Sequence, residues 1–379
     1  MPENRREFLK RAALTGAAGL GALTMAPRSA LTAMGKGPDA ISVGANGGYE
    51  TVELAKDSIR LAVVQTRVRS VRVANHRADI KSNLEHMLEA IDNVFHFGAG
   101  ADIVFFHEFP ITGWNTWTRK EILRFALEIP GEETEAVSRK AREYGCYVVF
   151  GSYSQDPDWP NHVLSITTII GPDGEIVDKH WKARNIKGVF PGIELFTTTI
   201  YDVLDRYIEM YGADAVMPVT RTAVGNIATS SVQREPEIFR AFAIKGAEVI
   251  LRTATGGFTP ADIQATSMYN GVYTAICNNA VSPNNPGFFD DAGSGGSAIY
   301  DPRGRVIAEA DSAFEQAVTA TIPIAEYRVR NRQPTMHSEL YMPVLNAYVS
   351  PYPPNVFADY QPTDLQDAKR FVRGKSRWK

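Results

Sequence analysis

Three separated segments of this chain hold side chains suited to chemistry on a carbonyl group. His107-Glu108-Phe109-Pro110 follows the apolar run Ala101–Phe106. A carboxylate at that strand end, between Phe106 and Phe109, is partly stripped of water, the setting in which carboxylates serve as bases. Lys179-His180-Trp181-Lys182 follows a hairpin-like pair of apolar runs. Lys182 there offers a fixed positive charge, which does most where negative charge develops in a reaction. The stretch from Gly225 to Glu237 runs from a glycine through Ser230 and Ser231 to Pro236-Glu237 at a helix start. That is the outline of a nucleophile elbow, a strand turning sharply into a helix. Plainer roles exist for each group. Glu108 would also serve as a turn-stabilising acid, and Lys182 is one of five cationic candidates among residues 179–188.

Taken together, the segments resemble the nitrilase superfamily of carbon–nitrogen hydrolases, whose members use a Glu, a Lys and a Cys. The resemblance covers roughly Ile59 to Ile324 and implies an α/β fold, a four-layer α-β-β-α sandwich. Glu108-Phe109-Pro110-Ile111-Thr112-Gly113 matches the family's Glu-Phe/Leu-Pro-x-x-Gly, which implies that Glu108 is the general base. Lys182 matches the lysine that stabilises the oxyanion, with Lys179 as the alternative nearer the turn. Counting back from Pro236-Glu237 puts Ser230 where the family has Cys. Counting forward from Gly225 puts Val232 there, and Ser231 lies between them. Ser230 is preferred, because a deletion inside a strained elbow costs more than one in the turn before it. A second family acid, expected before an aromatic-Pro-Gly segment, is displaced: Phe190-Pro191-Gly192 is present, but Lys187 precedes it and Glu194 follows.

The resemblance between Pro236 and Arg252 leans toward the aliphatic amidase and formamidase branch. It implies an amidase-type hydrolase of a small amide, with Ser230 in place of Cys. The alternative is an inactive relative that binds a small amide or carboxylate, or serves as an assembly partner. Serine is the harder nucleophile: a thiol with a pKa of about 8.5 is already a few per cent thiolate, whereas an alkoxide needs a well-placed base. No Ser-His-Asp set stands out among the seven histidines. Asn278-Asn279-Ala280 resembles the strand bordering the family's substrate pocket, and Gly293–Ser297 its adjoining Gly-rich loop. Asn279 and Trp114 are therefore expected at the substrate, with Trp117 and Phe258 as further apolar candidates or core residues. Neither a cofactor nor a metal is expected, because no cysteine has a partner at zinc spacing.

The elements that must position these groups read as follows. Ser58–Gln65, Ala101–Phe106 and Tyr147–Tyr153 are buried strands. Apolar residues at helical spacing from Ile80 to Phe97, and a segment from Glu132 to Tyr144 ending at Gly145, predict helices. Val163–Ile170 turns at Gly171-Pro172-Asp173-Gly174, and Ser297–Tyr300 turns at Asp301-Pro302-Arg303-Gly304, each into a second strand. Tyr201–Tyr211 reads as an inserted amphipathic helix. Strand–helix–strand units mixed with hairpins imply mixed sheets covered by helices.

The chain has 379 residues, 44% hydrophobic, with 40 basic and 43 acidic side chains. That balance argues against nucleic acid, and no apolar run reaches the roughly 18–20 residues of a membrane span. Asn4-Arg5-Arg6-Glu7-Phe8-Leu9-Lys10 before a weakly apolar stretch matches a twin-arginine export signal, taken as residues 1–34, so a periplasmic location is expected. Residues 35–57 read as a linker and 58–328 as the hydrolase domain. Residues 329–379 form a Pro- and aromatic-rich tail with a basic end, expected to wrap a neighbouring subunit. A homodimer or higher homo-oligomer is expected, because the resemblance implies that a sheet-and-helix face is buried against an identical copy. Cys146 and Cys277 lie in apolar stretches and read as buried free thiols.

Overall fold

Strands made of Val, Ile and Phe without alternation bury both faces, so they need cover on each side. In chain order they are β1 (Ile59–Gln65), β2 (Ile103–Phe106), β3 (Leu127–Glu128), β4 (Tyr147–Gln155), β5 (Leu164–Ile170), β6 (Ile176–Trp181), β7 (Thr220–Thr222), β8 (Gly225–Ser230), β9 (Val249–Thr253), β10 (Tyr273–Cys277), β11 (Ala298–Tyr300), β12 (Val306–Glu309) and β13 (Gln316–Ile322). The longer helices are α1 (His76–His96), α2 (Glu132–Tyr144), α3 (Leu204–Tyr211), α4 (Pro236–Ile244), α5 (Pro260–Asn270), α6 (Ser338–Ala347) and α7 (Leu365–Arg373). This computed structural model describes residues 40–282 and 294–378. The twin-arginine segment, residues 35–39 of the expected linker and Gly293 lie outside the described residues.

The first sheet has the order β13-β1-β2-β4-β5-β6, with β3 beside β4; the second runs β12-β11-β10-β9-β8-β7. Parallel strands form each centre, β1-β2-β4 and β8-β9-β10, and antiparallel strands finish the edges. The sheets stack on Val63, Phe105, Val149 and Ile169 from one side and Ile227, Leu251, Ala275 and Ile299 from the other. Each buried Val, Leu, Ile or Phe among them contributes about 1.5–3 kcal/mol, so this layer fixes which residues face inward. On the outer faces, Ile80, Met87, Ile91, Val137 and Ala141 of α1 and α2 cover the first sheet. Ile238, Phe239 and Phe242 of α4, with Ile263 of α5, cover the second. The result is the expected α-β-β-α sandwich.

Local expectations hold at the glycines that stop or turn the chain. Gly145 ends α2 in the left-handed region, and Gly174 and Gly304 give the two hairpin turns their positive φ. α1 starts earlier than the apolar spacing predicts, because its first turn, His76–Asp79, is polar and lies outside the periodic face. Residues 40–57 are not a free linker. Tyr49 Oη donates to Glu248 Oε1 at 3.0 Å, and Asn226 Nδ2 donates to the Glu50 carbonyl at 2.8 Å.

The tail also differs in part. Leu365 and Ala368 of α7 join the first sheet's outer core, so this portion covers its own chain. α6 stands clear, with Leu340 and Val344 79% and 68% exposed. Cys146 and Cys277 are buried free thiols. No helix among the described residues is long and apolar enough to cross a membrane.

Candidate active site

Glu108 sits two residues beyond β2, on a loop that its own motif folds. Phe109 and Ile111 are buried, and Thr112 Oγ1 accepts the Tyr153 N–H at 3.1 Å. Gly113 has φ +63°, and a Cβ there would lie 2.0 Å from the Arg69 carbonyl oxygen. Gly151 of β4 passes so close that a Cβ would come within 2.5 Å of the Glu108 carbonyl oxygen. His107 pins the loop from inside: its Nδ1 accepts the Phe109 N–H at 3.2 Å, and Nε2 meets Thr66 Oγ1 at 3.0 Å. Burial pushes His107 down to about 3, so it is neutral.

Lys182 follows β6 directly, and its N–H donates to the Ser165 carbonyl at 2.9 Å. Alternation along β6 sends Trp181 into the outer core and turns His180 and Lys182 toward the second sheet. Lys182 Nζ lies 3.2 Å from Glu108 Oε1, with the side chains 14% and 11% exposed. Lys179 bonds elsewhere, to the Ile129 carbonyl and Asp156.

The elbow runs from Ser230 at the end of β8 to Pro236 at the start of α4. Arg234 takes φ +58°, unusual for a non-glycine residue, and its N–H donates to Asp262 Oδ2 at 3.1 Å. Buried Arg252 bridges the turn, donating to the Val232 carbonyl at 2.7 Å and to Asp262 at 2.6 Å. Local backbone strain of this kind persists only where its surroundings hold it.

Glu108, Lys182, Ser230 and Ser231 line one cavity between the sheets. About 10 Å³ of it admits the centre of a water-sized sphere, room for roughly one water molecule. Val232 does not reach it and packs in the core under α4. Trp114 rests half-buried against the first sheet's outer core, away from the cavity. Asn279 is buried as a loop brace, its Oδ1 accepting the Gly256 N–H at 2.7 Å, and it too is absent from the lining. Trp117 lies in the outer core with its Nε1 donating to the Val71 carbonyl, and Phe258 packs under α5. Glu194 is buried, accepting the Gly188 N–H at 2.7 Å, and Lys187 pairs with Asp202; neither lines the cavity.

Sequence reading missed His180, Thr229 and Thr253, which also line this cavity. Strand alternation carries the signal. Thr229 is two residues from inward Ile227, Thr253 two from Leu251, and His180 two from Lys182. His180 Nδ1 meets Thr229 Oγ1 at 3.0 Å, and Nε2 meets Thr220 Oγ1 at 2.8 Å and Asp178 Oδ2 at 3.2 Å. Burial works against ionisation of Asp178, but its contacts with His180, Thr220 and the Lys179 N–H hold it at about 2. Among the described residues no group of three His, Cys, Asp or Glu side chains is placed to hold a metal ion.

The sequence profile of the carbon-nitrogen hydrolase family matches residues 60–332. A formamidase of Helicobacter acinonychis is 26% identical over 221 residues, covering 55% of this chain and 60% of that protein. A formamidase of Bacillus cereus is 26% identical over 187 residues, 48% of this chain and 50% of its own length. The chain thus spans little more than half the length of these curated relatives. Among solved structures, a Nesterenkonia sp. AN1 amidase variant in complex with acrylamide superposes with a TM-score of 0.54 at 16% identity, covering 77% of this chain and 99% of that one. Saccharomyces cerevisiae Nit3, of the nitrilase superfamily, gives 0.56 at 18% identity over 73% and 95%. At these identities the structures speak for the fold.

Proposed function

Because the chain belongs to the carbon–nitrogen hydrolase family, we propose that its inter-sheet cavity hydrolyses the carbon–nitrogen bond of a small primary amide. One observation carries this reading: Glu108, Lys182 and the elbow hydroxyls share one cavity, with the ammonium 3.2 Å from the carboxylate. Lys182 faces the oxygen that becomes negative when the carbonyl is attacked, which is where fixed charge lowers a barrier most. Glu108 accepts a proton during attack and returns one to the leaving nitrogen. The attacking group is an elbow hydroxyl, Ser230 by its spacing from Pro236, since both thiols are buried elsewhere. The formamidases among the relatives support a short acyl group.

Two further parts belong to this reading. Arg5-Arg6 with Phe8-Leu9-Lys10 supports export by the twin-arginine route. The exposed Leu340 and Val344 of α6 support pairing with a second copy.

The test is ammonia release from formamide, acetamide, propionamide and butyramide by the purified protein. The expected rates fall steeply along that series. The missing thiol favours one rival, a protein that binds an amide without cleaving it. Saturable amide binding with no ammonia from any member would establish that rival and overturn the hydrolase.

A further inference from the structure

Of the hydroxyls on the cavity, Thr229 is the one already attached to a base. Thr220 Oγ1 donates its single proton to Asp178 Oδ2 at 2.7 Å. At the 2.8 Å contact with His180 Nε2 it can then only accept, so Nε2 carries the proton. The 3.2 Å approach of Nε2 to Asp178 Oδ2 uses the same N–H. A neutral imidazole protonated at Nε2 has its lone pair on Nδ1, and Nδ1 stands 3.0 Å from Thr229 Oγ1. A hydroxyl donating to a nitrogen base, whose other nitrogen is held by a carboxylate, is the arrangement that activates alcohols for attack.

Ser230 has no such partner. Its Oγ accepts the Val232 N–H at 3.1 Å, and no side-chain base among the described residues is recorded within hydrogen-bond distance of it. One strand over, Thr253 Oγ1 is buried on the cavity wall with no hydrogen-bond partner among the described residues. A buried hydroxyl left unpaired is costly, and a ligand in the cavity would supply what it lacks.

We propose that Thr229 is the attacking hydroxyl, that His180 is its base, that Asp178 is a positioning residue for His180, and that Thr253 hydrogen-bonds the bound amide. The inference rests on the reading that this cavity hydrolyses a small amide; it replaces Ser230 as nucleophile and moves the proton-transfer role from Glu108 to His180. Thr229 Oγ bonds to the carbonyl carbon while its proton passes to His180 Nδ1, and Lys182 stabilises the oxyanion. The carbon–nitrogen bond then breaks, the leaving nitrogen takes the proton from His180, and ammonia departs. Water attacks the resulting ester, giving one proton to His180, which returns it to the Thr229 oxygen as the carboxylic acid leaves. Amide and water go in; acid and ammonia come out. Glu108 holds Lys182 in place.

The experiment measures ammonia release from formamide by Thr229→Val, Thr229→Ser, His180→Asn and Asp178→Asn, with thermal melts as the folding control. Valine keeps the branched shape and removes the hydroxyl, so Thr229→Val should fold and lose at least about 100-fold in rate. Thr229→Ser restores a primary hydroxyl and should recover to within about tenfold of the parent. Asp178→Asn should slow the reaction and shift the His180 ring-nitrogen resonances away from the Nε2–H tautomer, a change that a purely structural role would not produce. Acid quenching during turnover, followed by peptide mapping, should place any trapped acyl group on Thr229. A folded Thr229→Val variant that retains most of the rate overturns the proposal, as does an acyl group on Ser230 or Ser231. Loss of rate in Glu108→Gln and Lys182→Met but not in Thr229→Val would leave the amidase reading standing and remove this one. A parent that releases no ammonia removes the amidase reading and this proposal with it, whereas an active parent with a proton on His180 Nδ1 overturns this proposal alone.

Discussion

Lys182 and Glu108 are each other's nearest counter-charge in a largely dry place, and this makes the pair vulnerable from either end. Breaking a fully buried pair by removing one partner costs about 3–5 kcal/mol. Here the side chains keep 14% and 11% exposure, so the loss should be smaller. Lys182→Met is expected to lower the melting temperature and to cut ammonia release by about 100-fold or more. A variant that melts with the parent would show that the pair does not form in solution. Both residues were legible because each sits inside a local motif, Glu108 before Phe109-Pro110 and Lys182 after a hairpin. His180 and Thr229 were not, since the partners that give them meaning lie 40 and 49 positions away. The second substrate acid sought near Phe190 has a different structural use here, because Glu194 caps its own loop.

The strands and turns that hold these residues leave little slack, most visibly where β4 crosses behind Glu108. A methyl group at Gly151 would sit 2.5 Å from the Glu108 carbonyl oxygen, and that neighbour is backbone rather than a flexible side chain. Gly151→Ala should therefore displace the Glu108 loop. Overpacking of this kind costs about 1–3 kcal/mol, and the displaced carboxylate should reduce amide hydrolysis at least about tenfold. Unchanged melting and unchanged rate together would contradict the close approach. Most elements were readable, because apolar runs of strand length are bounded by glycines in the conformations tight turns need. α7 was not: Asp364 accepts the N–H groups of Gln366 and Asp367 as a helix cap, but the Pro-rich sequence before it obscured the Leu365, Ala368 and Val372 face.

Across the whole molecule, stability should respond to mild acid earlier than a carboxylate-dominated protein would. Burial holds His107 down to about 3, and burial with the Arg206 and Arg119 charges holds His162 down to about 4. Each has a folded value below the unfolded one of about 6.5. Their contributions are complete above pH 6.5 and are lost as pH falls toward those folded values, at about 1.4 kcal/mol per unit for each group. Melting temperature should therefore decline between about pH 6.5 and 5, and His107→Gln should flatten that slope; an unchanged slope in the variant would contradict the assignment. The central claim is that one cavity, holding the Glu108–Lys182 pair and the hydroxyls at the end of β8, hydrolyses a small amide. The direct test is the formamide turnover rate of the parent beside that of folded Glu108→Gln. We expect ammonia from the parent and at least about 100-fold less from the variant; equal rates, or none above buffer from either, would contradict it.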